Sequence, residues 1–267
     1  MVVCKRMGRS RSSYYKERIH KSEEVVRHQL LSSMVRDCRY LMPRLGGRKL
    51  YHLLKDKMEE HQIKMGRDLF FKWLGSQGLL VSPKKSYVRT TNSNHRFRRY
   101  INLIQDVEVE RPDQVWVSDI TYLRLRKGFC YLALITDAFS RKIIGWDVSD
   151  SLELTGSLRA LEMASMNRLR SDTIHHSDRG IQYCSNLYVS TLKEKNIQIS
   201  MAEAGNCYEN AMAERVNGIL KNEFNMDAIF IDTKAARKQA KQAIEVYNNL
   251  RPHIAINFCK PAELYAA

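Results

Sequence analysis

The heptapeptide Trp116-Val117-Ser118-Asp119-Ile120-Thr121-Tyr122 lies inside a run, Val115 to Leu125, that is rich in Val, Ile, Thr and Tyr, the composition of a β-strand. Arg126-Lys127-Gly128 makes a turn and Phe129 to Thr136 returns, so the stretch predicts a hairpin. An aspartate in the middle of such a strand is costly unless something offsets its charge. Reading outward, Lys142 to Val148 is a third strand, Leu152 to Leu169 a helix with Leu154, Leu158, Leu161 and Ser165 along it, and Thr173 to His176 a short fourth strand. A helix over Leu187 to Lys195, a strand over Ile197 to Ser200, a polar loop, a helix from Cys207 to Phe224 and a last helix from Lys234 to Tyr247 follow. Three antiparallel strands followed by alternating helices and strands predict an α/β fold with a mixed sheet.

Upstream the pattern changes. From Val25 to Leu41 the apolar positions Val26, Leu30, Met34, Cys38 and Leu41 recur at three or four residues, one face of a helix that Pro43 closes. After Leu45-Gly46-Gly47 the pattern repeats at Leu50, Leu54 and Met58, and a third apolar cluster, Leu69 to Leu74, ends at Gly75 and Gly78. Three short helices with Gly-containing turns read as a helix-turn-helix unit, a periodicity that an ordinary helical bundle shares. Arg44, Arg48, Lys49, Arg67 and Lys72 decorate it, and a helix entering the major groove needs such cations to meet phosphates. Ser82 to Arg99, with Lys84, Lys85, Arg96, Arg98 and Arg99 and little periodicity, reads as a basic linker. The expected organisation is a basic arm over 1–24, a helix-turn-helix-like DNA-binding region over 25–80, a linker over 81–110, a catalytic core over 111–226 and a helical extension of that core over 227–267.

The 267 residues carry 44 Lys and Arg against 29 Asp and Glu, a net charge of +15 that points to a polyanionic partner. Residues 1–110 hold 24 of these cations and 11 of the anions, leaving 20 and 18 for residues 111–267, so the two portions do different jobs. The apolar run Cys130 to Ile135 is far short of the ~20 residues a bilayer span needs, and the start has no secretory pattern, so no membrane partner and a cytoplasmic location are expected. The six cysteines lie far apart without a C-x-x-C pair, which leaves a zinc module unsupported and predicts buried free thiols.

Phosphodiester chemistry by hard cations needs several carboxylates brought together by the fold. Asp119 is the first candidate. Asp178, in His175-His176-Ser177-Asp178-Arg179-Gly180, follows the fourth strand, where strand ends commonly present ligands. Glu214 lies on the helix that begins near Cys207, on one face with Lys221. Each has a plain alternative: an Arg-paired Asp119, an Asp turn at Asp178, a solvated Glu214. Glu209 competes with Glu214, but Asn206-x-x-Glu209 has the form of a capping box.

Taken together, 58 residues separate Asp119 from Asp178 and 35 separate Asp178 from Glu214. That spacing resembles the D,D-35-E signature of the transposase and retroviral integrase superfamily. The words around it, the Trp116–Tyr122 heptapeptide, His176-Ser177-Asp178-Arg179-Gly180-Ile181-Gln182-Tyr183, Gly205-Asn206-Cys207-Tyr208-Glu209-Asn210-Ala211-Met212-Ala213-Glu214 and Tyr247-Asn248-Asn249-Leu250-Arg251-Pro252-His253, are similar to those of the IS3-family insertion-sequence transposases, OrfB product. The similarity is strong from Arg111 to Leu264. Arg44-Leu45-Gly46-Gly47-Arg48-Lys49-Leu50 and Gly78-Leu79-Leu80 resemble that family's helix-turn-helix segment less specifically. Two departures from the family cover three positions: Glu209 stands where Asp is frequent, and Arg215-Val216 where an aromatic pair is frequent.

The resemblance implies a ribonuclease-H-like core and a DDE transposase. In it Asp119, Asp178 and Glu214 hold two Mg2+ or Mn2+ ions for in-line transesterification, and Lys221 contacts DNA near the scissile phosphate. His176 and Arg179 flank Asp178 within reach of phosphate, and a histidine packed into the strand is an equal reading of His176. It further implies DNA partners, the terminal inverted repeats and target DNA, a homo-oligomer on DNA, and an upstream OrfA product as partner or fusion. The competing readings are a structure-specific nuclease on the same fold and a DNA-binding regulator without chemistry. The intact triad argues against the second.

Overall fold

A computed structural model describes residues 8, 10–82, 97–166, 168–202 and 211–267, in two compact units, Met1–Val81 and Ser82–Ala267. The capping box at Asn206 to Glu209 and the basic stretch from 83 to 96 lie outside the described residues.

The first unit holds three helices, α1 (Arg11–Leu41), α2 (Gly47–Glu60) and α3 (Arg67–Ser76). Helix α1 starts at Arg11, well before the Val25 that periodicity indicates. Ser10 caps it, its Oγ accepting from the Ser13 N–H at 3.1 Å, and Lys21–Glu17 and Arg27–Glu23 pairs one turn apart support its first half. Apolar periodicity begins only where the helix meets its neighbours: Leu31, Met34 and Val35 are buried, whereas Tyr14, Tyr15 and Ile19 are exposed. A Cβ on Gly47 would lie 2.8 Å from the Phe71 ring, so glycine lets α3 pack onto the start of α2.

In the second unit the chain forms β1 (Val115–Leu125), β2 (Phe129–Asp137), β3 (Ile143–Ser149), α4 (Leu154–Met166), β4 (Ile174–Ser177), α5 (Ile181–Cys184), α6 (Asn186–Glu194), β5 (Gln198–Met201), α7 (Ala211–Glu223), β6 (Ile229–Phe230), α8 (Thr233–Asn249) and α9 (Pro261–Ala266). Strand order is β3-β2-β1-β4-β5, antiparallel among the first three and parallel beyond, with β6 pairing the far end of β1. This is the mixed sheet expected from the sequence. Trp116, Ile135, Leu161, Tyr188, Leu192 and Met201 form much of the core. The backbones of β3 and α4 approach closely, because a Cβ on Gly145 would sit 2.1 Å from the Ala160 carbonyl oxygen.

Buried Asp113 ties the sheet to the chain's end. It accepts from the Trp116 indole and the Leu169 N–H, each at 2.8 Å, and from the Tyr265 hydroxyl of α9 at 2.9 and 3.0 Å. Among the described cysteines, Cys130 and Cys184 are the buried free thiols expected, while Cys38 is half-buried and Cys259 exposed.

Candidate active site

Strands β1 and β4 run parallel with Ser118 opposite Ser177, so Asp119 and Asp178 are the next residues along two neighbouring strands, which lie about 4.8 Å apart in any sheet. Asp178 sits in a tight turn: its Oδ1 accepts from the Gly180 N–H at 2.9 Å, and a Cβ on Gly180 would approach that oxygen to 2.9 Å. Glycine is therefore what allows the carboxylate to fold back there. Asp119 Oδ1 accepts from the Ile120 N–H at 2.9 Å and Oδ2 from the Asn217 carboxamide at 2.7 Å.

Asn217 is on α7, one turn after Glu214, and is buried on the helix face that also holds Ala213, Val216 and Leu220. Its Oδ1 is buried without a hydrogen-bond partner, so the side chain is spent on Asp119 alone. A turn further on, the Lys221 ammonium lies over the Tyr122 ring of β1, 4.6 Å from its centre. Glu214, Asn217 and Lys221 thus follow one stripe of the helix, which meets β1 through Asn217 at Asp119 and through Lys221 at Tyr122.

The charges interact accordingly. Burial raises Asp119 to about 7, the Asp178 charge adds to the rise, the Asn217 and Ile120 donors oppose it, and Glu214 raises it further. Burial lowers the Lys221 ammonium, against an opposing pull from Asp119. Glu214 itself is exposed in the first turn of α7. Among the described residues no three His, Cys, Asp or Glu side chains converge closely enough to hold a metal ion as they stand.

A polar layer underlies the carboxylates. His175 Nε2 lies 2.7 Å from Ser118 Oγ and 3.0 Å from the Tyr188 hydroxyl, and burial drives the imidazole down to about 3, so it is neutral and pins β1 to β4. His176 is fully buried with Nδ1 2.8 Å from Ser200 Oγ, which removes it from any surface a phosphate reaches. Arg179 is half-buried. In the helical unit Arg48, Arg67 and Lys72 are exposed and Arg44 half-buried, Arg67 pairing with Asp68 at 2.9 Å. Lys49 is only 8% exposed, so it belongs to that unit's interior and not to its cationic surface. Asn217 and the Ser118–His175–Tyr188 layer escape sequence reasoning. A polar residue three positions after Glu214, on the buried face, is the one signal that points to Asn217.

Two integrase core domain family models match the chain, over residues 109–207 and 195–261. The chain is 37% identical over 207 residues to the transposase for insertion sequence element IS629 of Shigella sonnei, covering 75% of this chain and 68% of that protein. It is 32% identical over 270 residues to the insertion element IS600 uncharacterized 31 kDa protein of Shigella sonnei, covering 97% and 96%. Transposase InsF for insertion sequence IS3A of Escherichia coli K12 is 37% identical over 183 residues, covering 67% and 64%. Among solved structures, the simian T-cell lymphotropic virus intasome in complex with PP2A regulatory subunit B56 gamma matches with a TM-score of 0.52 and 18% identity over 83% of this chain and 75% of that one, a likeness of fold alone. That fold is the ribonuclease-H-like core that the family resemblance implies.

Proposed function

The chain belongs to the insertion-sequence transposases that carry an integrase core domain, and from that premise we propose that it cuts DNA at the ends of an insertion sequence and joins the freed ends to a new site, with Asp119, Asp178 and Glu214 as its acidic centre. One observation carries the assignment: Asp119 on β1 and Asp178, just past the end of the parallel β4, directly follow the paired Ser118 and Ser177, and the helix bearing Glu214 is tied to Asp119 through Asn217. The donor set suits divalent cations, since carboxylates are the hard oxygen ligands that Mg2+ and Mn2+ prefer. Asp178 and Glu214 both burden Asp119 with negative charge, and a cation placed among them relieves it. Two such ions would supply Lewis-acid activation of the attacking oxygen and stabilisation of the leaving 3′-oxygen.

The chain's own groups orient the reaction. Asn217 and the Ile120 N–H fix both oxygens of Asp119, the Gly180 N–H fixes Asp178, and Lys221 places a cation beside them to meet phosphate charge. In-line displacement at phosphorus then needs no covalent protein intermediate: water attacks for cleavage, a DNA 3′-hydroxyl for joining, and a 3′-oxygen leaves in each case. DNA is the substrate, and the exposed Arg48, Arg67 and Lys72, with Arg44, are the residues we assign to its phosphates. Assembly as a homo-oligomer on DNA, with an upstream OrfA product as partner or fusion, belongs to the same reading. So does work in the cytoplasm at the nucleoid; no described helix is long and apolar enough to cross a membrane.

The full chain, given labelled element ends and Mg2+, is expected to yield joined product. Asp119→Asn, Asp178→Asn and Glu214→Gln should each lose at least roughly 10²–10³ in rate while DNA affinity persists, since each removes a charge with little change in size. Nicking without joining under every divalent ion, with the upstream frame supplied, would favour the nuclease instead. A dead Glu209→Gln beside an active Glu214→Gln would move the third carboxylate.

A further inference from the structure

The segment Tyr247-Asn248-Asn249-Leu250-Arg251-Pro252-His253 takes no part in the chemistry above, yet it is bonded at three places. The Tyr247 hydroxyl donates to the Arg141 carbonyl at 3.0 Å. The Asn248 carboxamide accepts from the Ile143 N–H and donates to the Ile143 carbonyl, both at 2.9 Å. Past the end of α8, Arg251 turns back so that Nε and Nη2 donate to the two carboxylate oxygens of Glu223 at 2.8 and 3.0 Å. The Arg251 side chain is 4% exposed and that of Glu223 15%, and the guanidinium also lies 5.5 Å from the centre of the Tyr247 ring.

Glu223 is the last residue of α7, the helix that carries Glu214 in its first turn and Asn217 against Asp119. The segment therefore bridges the β2–β3 turn to the far end of that helix. Apolar packing alone holds a helix near a sheet but tolerates small slides and rotations. A two-pronged guanidinium–carboxylate pair does not, because both donors lie in one plane at fixed spacing.

We infer that Arg251 is a positioning residue for the acidic centre: through Glu223 it sets the rotation and height of α7, and so where Glu214 stands relative to Asp119 and Asp178. The inference rests on the assignment of those three carboxylates. Tyr247 and Asn248 give Arg251 a fixed base by anchoring its segment to the strand next to β2, which is itself paired with β1.

The test compares the full chain with Arg251→Gln, Arg251→Lys and the double variant Arg251→Gln with Glu223→Gln. Three quantities are read: joining rate at saturating element-end DNA, the DNA concentration for half-saturation, and amide hydrogen exchange of residues 211–223 against β1 to β3. In Arg251→Gln the rate should fall about ten- to a hundredfold while half-saturation moves less than about twofold, as a misplaced catalytic group produces. Exchange should quicken within 211–223 and stay unchanged in β1 to β3. Arg251→Lys, which keeps the charge and one donor nitrogen, should recover part of both, and the double variant, which removes the Glu223 charge together with the guanidinium, should regain thermal stability without regaining the rate. A wild-type rate in Arg251→Gln, or a rate loss that tracks uniform loosening of β1 to β3, would overturn the inference. If Arg251→Gln does not fold, Arg251→Lys decides by the same readouts. A wild-type chain that makes no joined product with the upstream frame supplied counts against the acidic centre, whereas the exchange comparison still decides whether Arg251 holds α7.

Discussion

Burial and the charge of Asp178 hold Asp119 up at about 7, and the sign of that shift has a consequence for stability. An unfolded aspartate titrates near 3.9, so between about pH 4 and pH 7 the folded chain binds the extra proton, and the free energy of unfolding falls as pH rises through that window. Above it the loss is complete and the curve is flat. Full burial would make the loss roughly 4 kcal/mol, but Asp119 is half-buried, and about 1–2 kcal/mol is the reasonable expectation. Urea unfolding from pH 4 to pH 8 without divalent ions should show this decline, and Asp119→Asn should abolish it and be the more stable protein at pH 8. A decline that survives in Asp119→Asn would assign the proton to another group.

At the scale of elements, Gly145 is where β3 and α4 come closest, with the Ala160 carbonyl where a methyl group would go. Gly145→Ala should cost at least about 1–3 kcal/mol as the helix is pushed off the sheet, visible as a lowered Tm, and an unchanged Tm would mean that α4 shifts freely. The elements themselves were largely legible in the sequence, because strand composition, helical spacing and turn residues act over a few positions. What escaped was of longer range. The first half of α1 has no buried apolar stripe, since Tyr15 and Ile19 are exposed, so periodicity reported burial and was silent about helix. At the site, Asp119 and Asp178 could be found from spacing and words, but Asn217 meets Asp119 across 98 positions and Arg251 meets Glu223 across 28. No local pattern encodes such pairs. Of the two readings open for His176, phosphate contact and packing within the strand, the alternation of the strand selects packing, turning the ring inward to Ser200.

Across the whole molecule the cations are concentrated in residues 1–110, which carry 24 Lys and Arg against 11 Asp and Glu. If six to ten of them neutralise phosphates, affinity for element-end DNA should drop roughly 10³–10⁵ between 50 and 200 mM salt, through release of condensed counterions. Most of that slope should belong to residues 1–110; a steeper slope from residues 111–267 in a filter-binding titration would reverse the division of labour. Solubility is a second whole-molecule property, and Asn248 bears on it. Strand β3 is the outer strand of the sheet, and the N–H and carbonyl of Ile143 are both taken by the Asn248 carboxamide. Those are two of the groups onto which a strand from another copy of the chain would dock, and with Arg237, which takes the Val148 carbonyl further along β3, the side chain blunts the rim. Asn248→Ala should therefore shift the protein toward β-rich aggregates on refolding at high concentration, detectable by light scattering. Refolding as clear as the wild type would show that the rim is guarded elsewhere.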